Sequence, residues 1–271
     1  MCDQHKALYL FCFAEPGLKP DLEGVGVDGC GPVFVRSFPA AAAVLSAVSL
    51  EEFSGPSAER NMADLAWVGP RACRHQEVIE AVMRHSPVFP ARFGTLFSSA
   101  EALEKLIAMH REVISQFLHH VAGQAEWAVK GFLDRTQARR SALAKDLAAR
   151  ESELATLPPG RRYLREQKVR AEAEEVLCRW LNEICCRWAD QLRRQASAFV
   201  ERKAALQNGT EKEIETLVNW AFLLPESKVT TFRSEVELAS RTHAEAGLAF
   251  RLSGPFPPYS FAPPLPIAGA A

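Results

Sequence analysis

The chain has no long apolar run and almost no net charge. Its 271 residues carry 32 Lys and Arg against 33 Asp and Glu, a formal net charge of -1. Such a balance gives no general attraction to nucleic acid or to an anionic membrane. The apolar runs "ALYLFCFAEPG" (7–17) and "AAAAVLSAVSL" (40–50) fall below the roughly 20 residues of a membrane-spanning helix, and the first is poorly flanked for a secretion signal. We therefore expect no membrane span and a cytoplasmic protein.

The cysteines lack the spacing of a metal site or a disulfide framework. There are seven, an odd number, and no Cys-x-x-Cys pair occurs. Cys178, Cys185 and Cys186 lie in a strongly helical stretch with no histidine at ligand spacing. We therefore expect reduced thiols and neither a metal nor a cofactor.

Motifs for nucleotide binding and covalent catalysis are missing as well. The glycine-rich "GVGVDGCG" (24–31) is followed by the β-prone "VFVRSF" instead of a helix that could hold phosphate. Cys73 and His75 are two residues apart on a predicted helix, so their side chains point in different directions. No Walker-type sequence and no G-x-S-x-G serine is present. The residues therefore carry no motif for catalysis or for a small-molecule substrate, and a small-molecule enzyme that uses Cys73 or a histidine stays a second alternative.

Hydrophobic periodicity predicts a first α+β domain over 1–123. Apolar and β-branched runs predict strands at 8–13, 33–38 and 43–48, the last two forming a hairpin-like pair. Helical spacing predicts a helix near 72–85, with an interruption at Gly69-Pro70. Ser98 and Glu101 have capping-box spacing, which predicts a second long helix from there to Gly123.

The second domain, 124–254, alternates strands and helices in a recognisable order. "EWAVKGFL" (126–133) reads as a strand, and a charged helical region follows over 134–195, split by "LPPG" (157–160). Two strands joined by a turn at Asn208-Gly209, a helix ending near Gly247 and a last strand complete the domain. This order is that of a ferredoxin-like domain, here with a long helical insertion.

A ferredoxin-like sheet also allows an RNA-binding module, which needs aromatic side chains on its central strands and a basic face. Trp127 and Trp220 are the candidates for such a platform. No RNP1-like sequence is present and the chain is nearly neutral, so a core position for both tryptophans is the favoured interpretation. RNA binding stays the alternative function.

Two stretches carry prolines and aromatics in an unusual arrangement. In "SPVFPARFGTLFSS" (86–99) the prolines hold the entry extended and Gly94 permits a turn, which predicts a junction between a strand and a helix. Arg92 lies there on an otherwise apolar segment, and we expect an intramolecular partner for it.

The tail, 255–271, is uncharged and rich in proline. We expect it to pack across the two domains, with a partner-binding surface as the alternative.

Several strings together resemble the gas vesicle protein family of the GvpF/GvpL type. They are "HQEVIEAVMRHSPVFPARFGTLFSSAEAL", "EWAVKGFL", "RRYLREQ" and "GLAFRLSGPFPPYSF", in the order that the family has them. The resemblance covers residues 8–261. Phe256, where the family usually has tryptophan, and Ala91, where leucine is common, are the departures.

The resemblance implies a two-domain α+β protein that is no enzyme. It implies an accessory or minor structural component required for gas vesicle assembly, in the cytoplasm or in the vesicle. The implied partners are the small hydrophobic shell protein and other gas vesicle accessory proteins. The candidate structural or partner contacts in the matching motifs are Arg92, Phe93, Gly94, Trp127, Gly254, Pro255, Phe256, Pro258, Tyr259 and Phe261.

Overall fold

A strand that is apolar on both faces forms the centre of the first sheet. β1 (Lys6–Ala14) carries no charge after its first residue and is almost entirely buried, as expected for a strand that is covered on both faces. The computed structural model describes residues 6–18, 24–141, 158–203 and 214–265. Within these ranges the chain forms two compact units: the first consists of the described residues up to 126 and from 255 onwards, and the second of those between 127 and 254.

The sheet of the first unit is antiparallel, with the order β2-β3-β1-β4, and β5 also pairs with β1. Its other strands are β2 (Val33–Ser37), β3 (Ala42–Ser49), β4 (Val88–Pro90) and β5 (Leu96–Phe97). The predicted pairing of the second and third strands is confirmed, since Val35 lies opposite Val44 in the register.

The described part of the first unit also contains the helices α1 (Leu50–Phe53), α2 (Gly55–Ala63), α3 (Leu65–Met83), α4 (Ala100–Met109) and α5 (Arg111–Val121). The predicted interruption at Gly69-Pro70 is wrong, because Pro70 lies inside α3. Proline normally excludes the helical conformation from the preceding residue partly by colliding with its Cβ. Gly69 has no Cβ, which relieves that collision.

The predicted start and length of the next helix need two corrections. The N-cap is Ser99, whose side chain accepts a hydrogen bond from the Ala102 amide at 3.2 Å, and not Ser98. The helix also does not run unbroken to Gly123, since α4 ends before His110, whose backbone is not helical. The buried residues Ile107 and Ile114 are seven positions apart, about two helical turns, so the apolar pattern stays in phase across this break and could not show it.

The second unit contains a four-stranded sheet with the order β7-β8-β6-β9. Its strands are β6 (Gln124–Asp134), β7 (Ala198–Glu201), β8 (Ile214–Pro225) and β9 (Leu248–Phe256). Its helices are α6, described over 135–141, α7 (Pro159–Arg193) and α8 (Val229–His243). The succession of strands and helices is the one that the sequence predicts; the predicted turn at Asn208-Gly209 lies outside the described residues.

Polar contacts join the elements of the second unit around an aromatic core. Arg135 of α6 forms ion pairs with Glu174 of α7 at 3.0 Å and with Glu215 of β8 at 2.7 Å. The Trp188 indole N–H donates to His243 Nε2 at 3.0 Å and so connects α7 to α8. No helix in the described part of the chain is long and apolar enough to span a membrane.

Candidate partner-binding site

A buried histidine and a buried tyrosine hold the 91–94 segment on the first sheet. His75 lies on α3 and Tyr9 on β1, and the Tyr9 hydroxyl is 2.9 Å from His75 Nδ1. His75 Nε2 lies 3.2 Å from the carbonyl oxygen of Ala91, and the Gly94 amide donates to the Tyr9 hydroxyl at 3.2 Å. Strand, helix and junction therefore share one hydrogen-bonded network.

The partners of His75 define its protonation state. A carbonyl oxygen only accepts, so Nε2 carries the proton and donates to Ala91, while Nδ1 accepts from the Tyr9 hydroxyl. Burial lowers the pKa of His75 to about 4, and the bond to Ala91 opposes part of that change. The imidazole is therefore neutral near pH 7, and its geometry is that of a structural group with both nitrogens satisfied.

The tail is fixed to the first unit by two polar contacts. The Tyr259 hydroxyl donates to the Gln76 side-chain carbonyl at 3.1 Å. The buried carboxylate of Glu126 accepts from the Ser260 amide at 2.7 Å and from the Ser260 hydroxyl at 3.1 Å. A carboxylate removed from water is stable only when such donors surround it, so this contact defines where the tail turns.

Beneath the tail lies an apolar cavity of about 300 Å³, here named the tail cleft. Its walls come from the first sheet, α4 and the tail itself. The lining residues are Leu10, Phe13, Phe89, Pro90, Ala91, Arg92, Thr95, Phe97, Leu106, Tyr259, Ala262, Pro263, Pro264 and Leu265. Arg92 is the one charged side chain among these described residues.

The predicted contacts near the junction fall at or beside the tail cleft. Arg92 and Tyr259 both line it, and the Phe93 ring lies 5.8 Å from His75 beside the same network. Gly94 has φ 83, a conformation that favours glycine. Arg92 is exposed, and the structure shows no hydrogen bond or ion pair of its side chain with any described residue. The expected intramolecular partner is therefore not found there.

The other predicted contacts do not form one site with these. Trp127 is buried in the second unit under Arg233, whose guanidinium carbon lies 5.6 Å from the ring. Gly254 lies near the end of β9 and has φ 136, a backbone conformation that favours glycine. Of the remaining predicted contacts, Pro258 is buried, Phe256 and Phe261 are half-buried, and Pro255 is exposed.

The platform that an RNA-binding module needs is not available on the two tryptophans. Trp220 is 2% exposed and Trp127 is 6% exposed. Trp220 stacks on Phe250 at 6.1 Å and also contacts Phe222, which packs against Phe232 of α8. Bases cannot stack on rings that the protein already covers, so the core interpretation of both side chains holds.

The described residues contain no group of three or more His, Cys, Asp or Glu that could hold a metal ion. Cys73 is exposed while His75 is buried, so the two do not form a nucleophilic pair. Burial raises the pKa of Cys185 to about 11, which disfavours its thiolate. The glycine-rich loop packs Val27 into the core and places Gly29 against Arg74, so it is a structural element.

Three residues of this site had no role in the sequence prediction. Tyr9 was visible only as part of an apolar strand, and Gln76 only as a polar helix position. Glu126 offered a signal, because it is an acidic residue beside Trp127 at the start of the predicted strand, and a carboxylate there needs donors if it is buried. Its partner Ser260 is 134 residues away in the sequence, and no local pattern connects the two.

The comparisons with known proteins agree with this architecture. A family model described as "Gas vesicle synthesis protein GvpL/GvpF" matches residues 7–263. Gas vesicle protein L of Streptomyces sp. (strain CB03234) is 26% identical over 265 residues, which are 94% of this chain and 92% of that protein.

Two crystal structures of gas vesicle protein GvpF have the same fold. The protein from Anabaena sp. PCC7120 has a TM-score of 0.68 at 19% identity, covering 95% of this chain and 96% of that chain. The protein from Microcystis aeruginosa has a TM-score of 0.65 at 21% identity, covering 95% and 99%. With a mixed α+β fold shared with these structures and a family model matched from residue 7 to residue 263, the chain belongs to the GvpL/GvpF family of gas vesicle synthesis proteins.

Proposed function

We propose that this protein is an accessory or minor structural component required for gas vesicle assembly, and that it is not an enzyme. It acts in the cytoplasm or at the vesicle, where it binds the small hydrophobic shell protein and other gas vesicle proteins. Family membership over residues 7–263 is the observation that carries this proposal. The apolar tail cleft supports it, because a protein that handles apolar subunits needs a surface that accepts their side chains.

The tail cleft is the proposed contact with the shell protein. Its volume of about 300 Å³ lies at the lower end of the about 300–1,000 Å³ of small-molecule sites, enough for one or two apolar side chains. Burying such anchors in a preformed pocket contributes most of the free energy at many protein interfaces. Arg92, Phe93 and Tyr259 are the predicted contacts that lie at this cleft or beside it.

We also propose that the second domain is ferredoxin-like, with a long helical insertion. Its succession of β6, the helices α6 and α7, then β7, β8, α8 and β9, with the strand order β7-β8-β6-β9, supports that description. The domains would be 1–123 and 124–254, followed by the tail of 255–271.

The test is co-purification of the shell protein with a tagged copy of this chain from co-expressing cells. Ala262→Trp places a large ring in the tail cleft, and we expect it to reduce the recovered shell protein about tenfold. Ala66→Trp, on the exposed start of α3, adds the same ring away from the cleft and is expected to leave recovery unchanged. Equal recovery with both variants would remove the cleft from the proposal.

Quantitative mass spectrometry of washed vesicles and of the soluble pull-down then separates the two roles. Retention of this chain in washed, intact vesicles would identify a wall component. Presence in the soluble complex alone would identify an assembly factor. Absence of the shell protein from every complex would contradict the proposed binding.

A further inference from the structure

We infer that the tail cleft takes an apolar segment that carries a carboxylate beside its anchoring side chain, and that Arg92 pairs with this carboxylate. This inference rests on the proposed function and adds the chemistry of the partner. It concerns the same cleft, but it selects one class of occupant: an apolar stretch with an Asp, a Glu or a free carboxyl terminus in it.

One polar side chain of the cleft, that of Arg92, has no hydrogen-bond partner among the described residues. The Tyr259 hydroxyl donates to Gln76 at 3.1 Å, and the Thr95 hydroxyl donates to the Arg92 carbonyl oxygen at 2.7 Å. Among the described residues, none forms a hydrogen bond or ion pair with the Arg92 guanidinium. Its donors are therefore available, while the remaining lining groups are apolar or already satisfied.

The backbone on both sides of Arg92 is held in place. The Ala91 amide donates to Phe11 at 2.9 Å, and the Ala91 carbonyl accepts from His75. The Gly94 amide donates to Tyr9 at 3.2 Å. Because these bonds fix residues 91 and 94, the origin of the Arg92 side chain is fixed relative to the cleft, and less ordering is needed when a partner binds.

The pairing of an apolar pocket with a single arginine defines the partner. A guanidinium presents a planar fork of donors that matches a carboxylate in a bidentate geometry. A basic segment would meet a like charge, and a purely apolar segment would cover the guanidinium without giving it a partner. The carboxylate therefore determines which segments bind, while the apolar side chain supplies the surface that is buried in the cleft.

Two synthetic peptides test this pairing with the full-length protein. Both are fluorescein-labelled, blocked at the ends and built from Leu, Ile and Phe, with one central Glu in the first and Gln in the second. Fluorescence anisotropy at low ionic strength is expected to show about tenfold tighter binding of the Glu peptide. Arg92→Ala should remove this preference, and Arg92→Lys should retain part of it.

Arg84→Ala is the matched control, because Arg84 is also exposed, directly after α3, and does not line the cleft. It should keep the preference of the wild type. Thermal melting should be unchanged in Arg92→Ala, since its side chain is exposed. Equal binding of the two peptides to the wild type, no binding of either, or a preference that survives Arg92→Ala would each overturn the inference.

The shell-protein co-purification separates this inference from the proposed function. If the shell protein is recovered equally with the wild type and with Arg92→Ala, the proposed function stands and the carboxylate pairing does not apply to that partner. If the wild type recovers no shell protein, the proposed function fails. The comparison of the Glu and Gln peptides then still shows whether the cleft binds an apolar segment with a carboxylate.

Discussion

The Tyr9 hydroxyl and His75 Nδ1 lie 2.9 Å apart and join residues that are 66 positions apart in the sequence. The bond connects β1 to α3, and through Gly94 and Ala91 it also fixes the junction that carries Arg92. A buried polar pair of this kind is costly unless every donor and acceptor is used, and here they are. The network therefore positions the rim of the tail cleft.

Tyr9→Phe should destabilise the first unit by about 1–3 kcal/mol. The change leaves both the Gly94 amide and His75 Nδ1 without their partner while the apolar ring stays in place. Hydrogen exchange at the Gly94 amide should accelerate, and the denaturation midpoint should fall. Tyr163→Phe, 61% exposed on α7, is the control and should change neither measurement. Unchanged exchange at Gly94 in Tyr9→Phe would show that the network does not hold the junction.

The buried His75 should make the protein less stable in mild acid, because its imidazole binds a proton more readily in the unfolded chain than in the folded one. Burial lowers its pKa from 6.5 to about 4 in the folded state, so between these values the unfolded chain binds the proton and the folded chain does not. The free energy of unfolding is therefore unaffected by this group above pH 6.5, and it decreases as the pH falls from 6.5 towards 4. We expect a loss of about 2 kcal/mol between pH 7 and pH 5 from this group.

His75→Gln isolates that contribution, because glutamine does not titrate and keeps a donor near the Ala91 carbonyl. Urea denaturation at both pH values should show a smaller pH dependence for the variant than for the wild type. The same loss of stability in both proteins would assign the acid sensitivity to other groups.

The junction shows what the sequence could and could not predict. Proline and glycine restrict the backbone locally, so the extended entry and the turn at Gly94 were readable from the residues alone. The cap was misplaced by one residue because Ser98 and Ser99 are adjacent and both can accept from the helix. The partner of Tyr9 was not readable, because 66 residues separate it from His75.

Gly131→Ala should destabilise the second unit by about 1–3 kcal/mol. An added Cβ would lie 2.7 Å from Val218 Cγ2 and 3.2 Å from the Phe250 ring, and a β-branched side chain has little freedom to move away. Gly160→Ala, in the first turn of α7 with no atom within 4 Å of the added Cβ, should be neutral or stabilising. Thermal melting of both variants checks this, and equal melting temperatures would mean that the sheet adjusts at Gly131.

Glu126→Ala should release the tail from the first unit. The carboxylate accepts two hydrogen bonds from Ser260, and alanine leaves these donors without their acceptor. Chymotrypsin should then cut at Phe261 several times faster than in the wild type. Glu112→Ala, an exposed position on α5, is the control and should be cut at the wild-type rate. Equal cutting of Glu126→Ala and the wild type would show that other contacts hold the tail.

The second unit was easier to predict than the site in the first. Its strands and helices follow amphipathic patterns within single segments, so their succession was readable before any contact was known. The tail cleft depends instead on segments that are distant in the sequence, among them β1 with Leu10, the junction with Arg92 and the tail with Tyr259. The resemblance to the family singled out Arg92 and Tyr259, but only the fold brings them to one cavity.

The most direct test is removal of this chain from a vesicle-forming host, with vesicles counted by electron microscopy. We expect few or no vesicles without the protein, restoration by the wild type and by Ala66→Trp, and poor restoration by the cleft-filling Ala262→Trp at equal protein levels. A normal number of vesicles in its absence would contradict a role in assembly.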